Sequence, residues 1–95
     1  MDEREAGELL EAEIAKLRAR RYDDLVRLID NQEDYWVTGI SGIRYGVEVD
    51  VVWDHGTRGD GTIRVIAMID DGGPSAMRPL TSDFLLASDD SFIGE

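Results

Sequence analysis

The chain has no cysteine, one histidine and few bases, and each scarcity removes a class of function. Without cysteine there is no disulfide, no thiolate zinc site and no cysteine nucleophile, which fits a reducing cytoplasm. His55, the only imidazole, is the sole base candidate for the five serines, none of which sits in a nucleophile elbow. Lys and Arg number 10 against 21 Asp and Glu, a net charge of −11. Residues 1–21 are nearly balanced, with six acids and five bases, whereas residues 22–95 hold fifteen acids and five bases. Such a body repels phosphate backbones, since nucleic-acid affinity comes from neutralising phosphates with Lys and Arg. Nor does any stretch approach the roughly eighteen uninterrupted apolar residues of a membrane span, and the charged N-terminus lacks a signal-peptide core. The expectation is a cytoplasmic protein with no nucleic acid or membrane among its partners.

What is present is a strong strand pattern. Ile43, Tyr45, Val47, Val49, Val51 and Trp53 alternate with Arg44, Glu48, Asp50 and Asp54, and Ile63, Val65, Ala67 and Ile69 repeat the period. A period of two over this length means strands with one buried and one wet face. Across the polar, glycine-rich segment 54–62, Trp53 is expected opposite Ile63, Val51 opposite Val65 and Val49 opposite Ala67. Tyr35–Ile40 reads as an earlier strand. A two-residue Ser41-Gly42 turn would place Trp36 opposite Val47 and Ile40 opposite Ile43, on the buried face.

Before these strands the period is helical. Asp2-x-x-Glu5 resembles a capping box, and Ala6, Leu10, Ile14 and Leu17, with Leu9 beside them, form one stripe. Acids then give way to Lys16, Arg18, Arg20 and Arg21, matching the helix dipole. The stripe loses phase between Leu17 and Tyr22, which predicts a break near residues 20–23 and a second helix to about Ile29. After the Asp70–Pro74 turn, Ser75–Leu80 is expected to return as a fourth strand, its Pro79 end at an edge. Phe84–Ala87 and Phe92–Ile93 flank a terminal hairpin. The order of helices first and strands afterwards implies a single α+β domain over 1–95, helical over 1–31 and β-rich over 35–95, with four to five strands in an antiparallel meander.

Candidate chemistry is sparse. Asp54, His55 and Asp60 share a loop and have side chains that titrate or bind cations, yet their spacing matches no known metal motif and a strand-connecting loop has this composition anyway. Asp70 and Asp71 are a turn rather than an acid–base pair, because adjacent residues on a strand end point to opposite sides. GTRGDG has neither Walker spacing nor a Lys. No catalytic residue, metal or cofactor is expected. Surface chemistry is more informative. Leu9 and Leu10 are placed on a part of the helix that projects beyond the sheet, a surface for self-association as a homodimer. Val52, Ile66 and Met68 fall among the polar residues of the wet face, too many apolar side chains for a plainly solvated one.

From Tyr45 onward, the segments IRVIAMIDDGG, MRPLTSDF and DDSFIGE resemble a group of small bacterial proteins, and the resemblance covers roughly the last half of the chain. It implies no activity, cofactor or catalytic residue. A helix followed by an antiparallel meander is also similar to cystatin-like and NTF2-like architectures, which host enzymes, binders and inhibitors alike. The expected function is a small acidic, non-enzymatic protein-interaction module, binding itself or a basic partner. The alternative is a cystatin- or NTF2-like domain that binds a small ligand or acts as an enzyme through a pocket between helix and sheet.

Overall fold

A computed structural model describes residues 1–54, 61–73 and 78–95. Helix α1 spans Glu3–Arg18 and α2 Tyr22–Val26; strands β1 (Glu33–Thr38), β2 (Arg44–Trp53), β3 (Ile63–Asp70), β4 (Leu80–Leu86) and β5 (Phe92–Ile93) follow. The strands form one antiparallel sheet in chain order, the α+β meander that the segregated helical and strand periods imply.

Each helix starts where a carboxylate can accept its free amides. Asp2 Oδ1 accepts the Glu5 amide at 3.1 Å, the first half of a capping box. The Glu5 carboxylate turns instead to the β1–β2 hairpin, where it accepts from the Ser41 amide (3.0 Å), Ser41 Oγ (2.6 Å) and Tyr45 Oη (2.9 Å). Arg21 gives α2 no side-chain cap, and Asp90 from the far end of the chain supplies one, accepting the Tyr22 amide at 2.7 Å. The phase break near residue 20 is therefore a true break between two helices.

Ala6, Leu10, Ile14 and Leu17 of α1 are buried against β3 and β4. The sheet contributes Tyr45, Val47, Val49 and Val51 from β2 and all four odd residues of β3. Leu25, Leu28, Phe84 and Leu86 close the same core. Burying a side chain of this size contributes about 1.5–3 kcal/mol. The end of α1 is fixed by Arg18. Its guanidinium lies 4.0 Å from the Phe92 ring centroid and pairs with both carboxylate oxygens of Glu95.

The β2–β3 register is the expected one, with Trp53 opposite Ile63, Val51 opposite Val65 and Val49 opposite Ala67. The β1–β2 register is not. Trp36 pairs with Gly46 and Tyr35 with Val47, so β1 is shifted by one residue from the two-residue-turn expectation. The cause is the turn. The Gly39 amide donates to the Ile43 carbonyl and the Gly42 amide to the Gly39 carbonyl, with Gly42 at φ +92°. This is a three-residue loop, a type I turn closed by a residue in the left-handed region. One extra residue reverses the parity of β1. Tyr35 and Val37 face the core, whereas Trp36 is 59% exposed and Ile40, at the hairpin tip, is fully exposed. The β4–β5 hairpin repeats the design with Asp90 at φ +70° in place of Gly42.

Three other expectations need correcting. At the ends of β2, Ile43 and Trp53 are 38% and 46% exposed, so the buried face runs only from Tyr45 to Val51. The fourth strand begins at Leu80, just after Pro79, and is an interior strand paired with both β3 and β5. Residues 74–77 lie outside the described residues. The α1 stripe does not project, because Glu5 in its first turn is held against the β1–β2 hairpin by Ser41 and Tyr45. Leu10 is therefore in the core at 4% exposure and Leu9 packs against it, which removes Leu10 from any interaction surface.

Candidate functional site

Both helices bury their apolar faces against the odd side of β2 and β3. Among the described residues, no helix covers the even side. The pleat and the register set out that uncovered face in rows. Val52, Arg64 and Leu85 form one row, continued by Ile93 on β5. Asp50, Ile66 and Asp83 form the next. Then come Asp34, Glu48, Met68 and Thr81, and last Trp36, Gly46 and Asp70.

The face thus has an apolar line along β3 with acids on either side. Val52 is 43% exposed, and Ile66, Met68, Leu85 and Ile93 are half-buried. Glu48 and Asp50 flank the line on β2, with Asp34 beyond them on β1; Asp83 flanks it on β4. Arg64 is the base in these rows, pairing with Asp83 and lying 3.7 Å from Asp54. The crowding has an electrostatic consequence. A hydrogen bond with Asp50, followed by burial and by the charges of Asp50, Asp34 and Asp70, raises the Glu48 carboxyl above its usual range. Ionising the whole set therefore works against like-charge repulsion.

At the β1 end of the face, Trp36 lies beside Gly46; a Cβ there would come 3.6 Å from the Trp36 ring. The absent side chain leaves a groove of about 250 Å³ between Trp36 and the carboxylates of Asp34, Glu48 and Asp70. The Arg44 guanidinium lies 4.8 Å from the Trp36 ring centroid, an internal example of a cation against this aromatic surface.

Val52, Ile66 and Met68, singled out in the sequence, share this face. Asp54 is half-buried at its margin with Arg64, whereas His55 and Asp60 lie outside the described residues. Asp34, Trp36, Asp83, Leu85 and Ile93 were missed. The signal for Trp36 was present in Gly39-x-x-Gly42, whose glycines allow a three-residue loop, and in Gly46, which leaves space beside a cross-strand aromatic. Among the described residues, no group of three His, Cys, Asp or Glu is arranged to hold a metal, and no helix is long and apolar enough to cross a membrane. Between helix and sheet, Tyr45, Val47 and Val49 fill the core. Glu13 on α1 is buried there too, accepting from Tyr35 Oη (2.8 Å) and Lys16 Nζ (2.9 Å). Burial, then the hydrogen bond to Glu13, pushes the Tyr35 phenol well above its ordinary value. Glu13 is thus satisfied by structural partners.

No known protein family, curated protein or solved structure matches the chain.

Proposed function

We propose that this chain is a small acidic, non-enzymatic interaction module of the cytoplasm whose uncovered sheet face docks a basic protein. The supporting observation is the composition of that face: an apolar line along β3 set between carboxylates on β2 and β4. A plainly solvated face would be polar throughout, and a purely apolar one would invite indiscriminate association. Apolar area bordered by an excess of carboxylates, here with Arg64 as the base in the same rows, is the pattern of a docking surface, in which burial supplies affinity and charge selects the partner and speeds encounter. The −11 net charge adds long-range attraction for a basic partner.

Titrating the ¹⁵N-labelled chain with a short oligoarginine at low and at high salt tests this reading. Amides of Glu48, Asp50, Ile66, Met68 and Asp83 are expected to shift together at low salt and to lose the response at high salt. Shifts scattered over the whole acidic surface, or none on this face, would overturn it.

A further inference from the structure

The proposed docking face can be taken one step further, to the shape of what occupies it; the step rests on the reading above. We infer that the occupant is a basic amphipathic helix of a partner protein, lying along β3 with its apolar stripe on Ile66 and Met68 and its cationic flanks over the carboxylates of β2 and β4.

Three observations lead there. The first is width. Neighbouring strands lie about 4.8 Å apart, so Glu48 and Asp50 on β2 are roughly 10 Å from Asp83 on β4, across the apolar line. That matches the ~10–12 Å diameter of a helix with side chains, placing a carboxylate under each flank. From the Arg64 row to the Met68 row the line runs about 13 Å, the rise of roughly nine helical residues. The apolar anchors of such a helix would recur at the three- and four-residue spacing of helix-in-groove recognition.

The second is backbone chemistry. An extended segment laid on a sheet face finds no backbone partners there, because the sheet's amides and carbonyls point along its plane. It would bury its own polar groups unpaired over Ile66 and Met68. A helix satisfies its own. An extended partner belongs instead at the open edge of β1. There the Gly39-to-Ile43 hydrogen bond sets the alternation, and the main-chain groups of Asp34, Trp36 and Thr38 point away from β2.

Charge is the third, and it decides against a second copy of this chain. Face-to-face self-docking would bring together two faces on each of which Asp34, Glu48, Asp50, Asp70 and Asp83 outnumber Arg44 and Arg64, a net repulsion that a basic helix turns into attraction.

The test uses two synthetic peptides of identical leucine and arginine composition. One has leucines at helical spacing and arginines on the flanks; the other strictly alternates the two residues as a strand would. Each is titrated into the ¹⁵N-labelled full chain, with peptide helicity followed by circular dichroism. The helical-pattern peptide is expected to shift Asp50, Ile66, Met68 and Asp83, to gain helicity on binding, and to bind at least about tenfold more tightly than the alternating one. Ile66→Glu should abolish binding. The Asp50→Asn, Asp83→Asn double variant, which leaves the apolar line and the core untouched, should weaken it and flatten its salt dependence. Equal binding of both peptides on this face would overturn the helical occupant and leave basic docking standing, whereas shifts confined to the β1 edge along Asp34–Thr38 would overturn both. Failure of both peptides to perturb the face would overturn the parent reading along with it.

Discussion

Glu5 illustrates how much one side chain can organise. Its carboxylate joins the first turn of α1 to the β1–β2 hairpin through Ser41 and Tyr45, and it approaches Gly39 so closely that a Cβ there would sit 2.4 Å from it. Gly39 is thus required by a neighbour rather than by its own backbone angles. Gly39→Ala should displace the carboxylate and lower the urea midpoint, whereas the same change in a Glu5→Ala background should cost much less. A double-mutant cycle measures the difference, and additive effects would show that the two residues do not contact. Sequence alone revealed half of this. Asp2-x-x-Glu5 identified the cap at Asp2, but the reciprocal half is replaced by a contact spanning 36 residues, which no local spacing encodes. Trp36 is a similar case. Its side of the sheet depends on whether the loop has two or three residues, and the strand's own composition fits either.

At the scale of elements, β2 and β3 were legible because an eleven-residue alternation fixes which side of each strand faces the core. β1 was not, being six residues long with aromatic side chains on both faces. The uncovered sheet face was half legible: Val52, Ile66 and Met68 stood out as apolar among polar neighbours, while Asp83, Leu85 and Ile93 needed the β3–β4 and β4–β5 pairings to join them. β3 itself offers a sharp experiment, since it carries three isoleucines in one environment of backbone and two of side chain. Ile63 and Ile69 are fully buried and Ile66 faces outward. Ile69→Ala should cost about 2–5 kcal/mol by deleting core contacts and leaving a cavity. Ile66→Ala should cost less than about 1 kcal/mol, because solvent already reaches the side chain. Chemical denaturation checks both. A loss for Ile66→Ala as large as that for Ile69→Ala would mean that the outer face is a second core rather than a docking surface.

For the whole molecule, the acidic face and the folded state pull against each other, and pH separates them. Glu5 is held below its ordinary value by Ser41, Asp89 by Ser91 and Glu95 by Arg18. Each is a carboxyl depressed by folding, so its contribution is complete above the unfolded value, 4.5 for Glu and 3.8 for Asp, and is lost as pH falls through the folded value. Glu48 has the opposite sign. Its folded value lies above 4.5, so its ionised form opposes folding at neutral pH, and the penalty is relieved as pH falls through the folded value toward 4.5. Protonation there also reduces the repulsion within a chain of net charge −11. Stability should therefore rise on mild acidification from neutrality, pass through a maximum just above pH 4.5, and fall below it as the depressed carboxyls lose their partners. Glu48→Gln should raise the neutral-pH urea midpoint and remove most of the rise, leaving the acid limb unchanged. A midpoint that falls steadily from neutrality would show that Glu48 carries no such penalty. The proposed basic partner would act on the same quantity as the proton: by neutralising this face it should raise the melting temperature most at neutral pH and less as Glu48 takes up its proton on acidification.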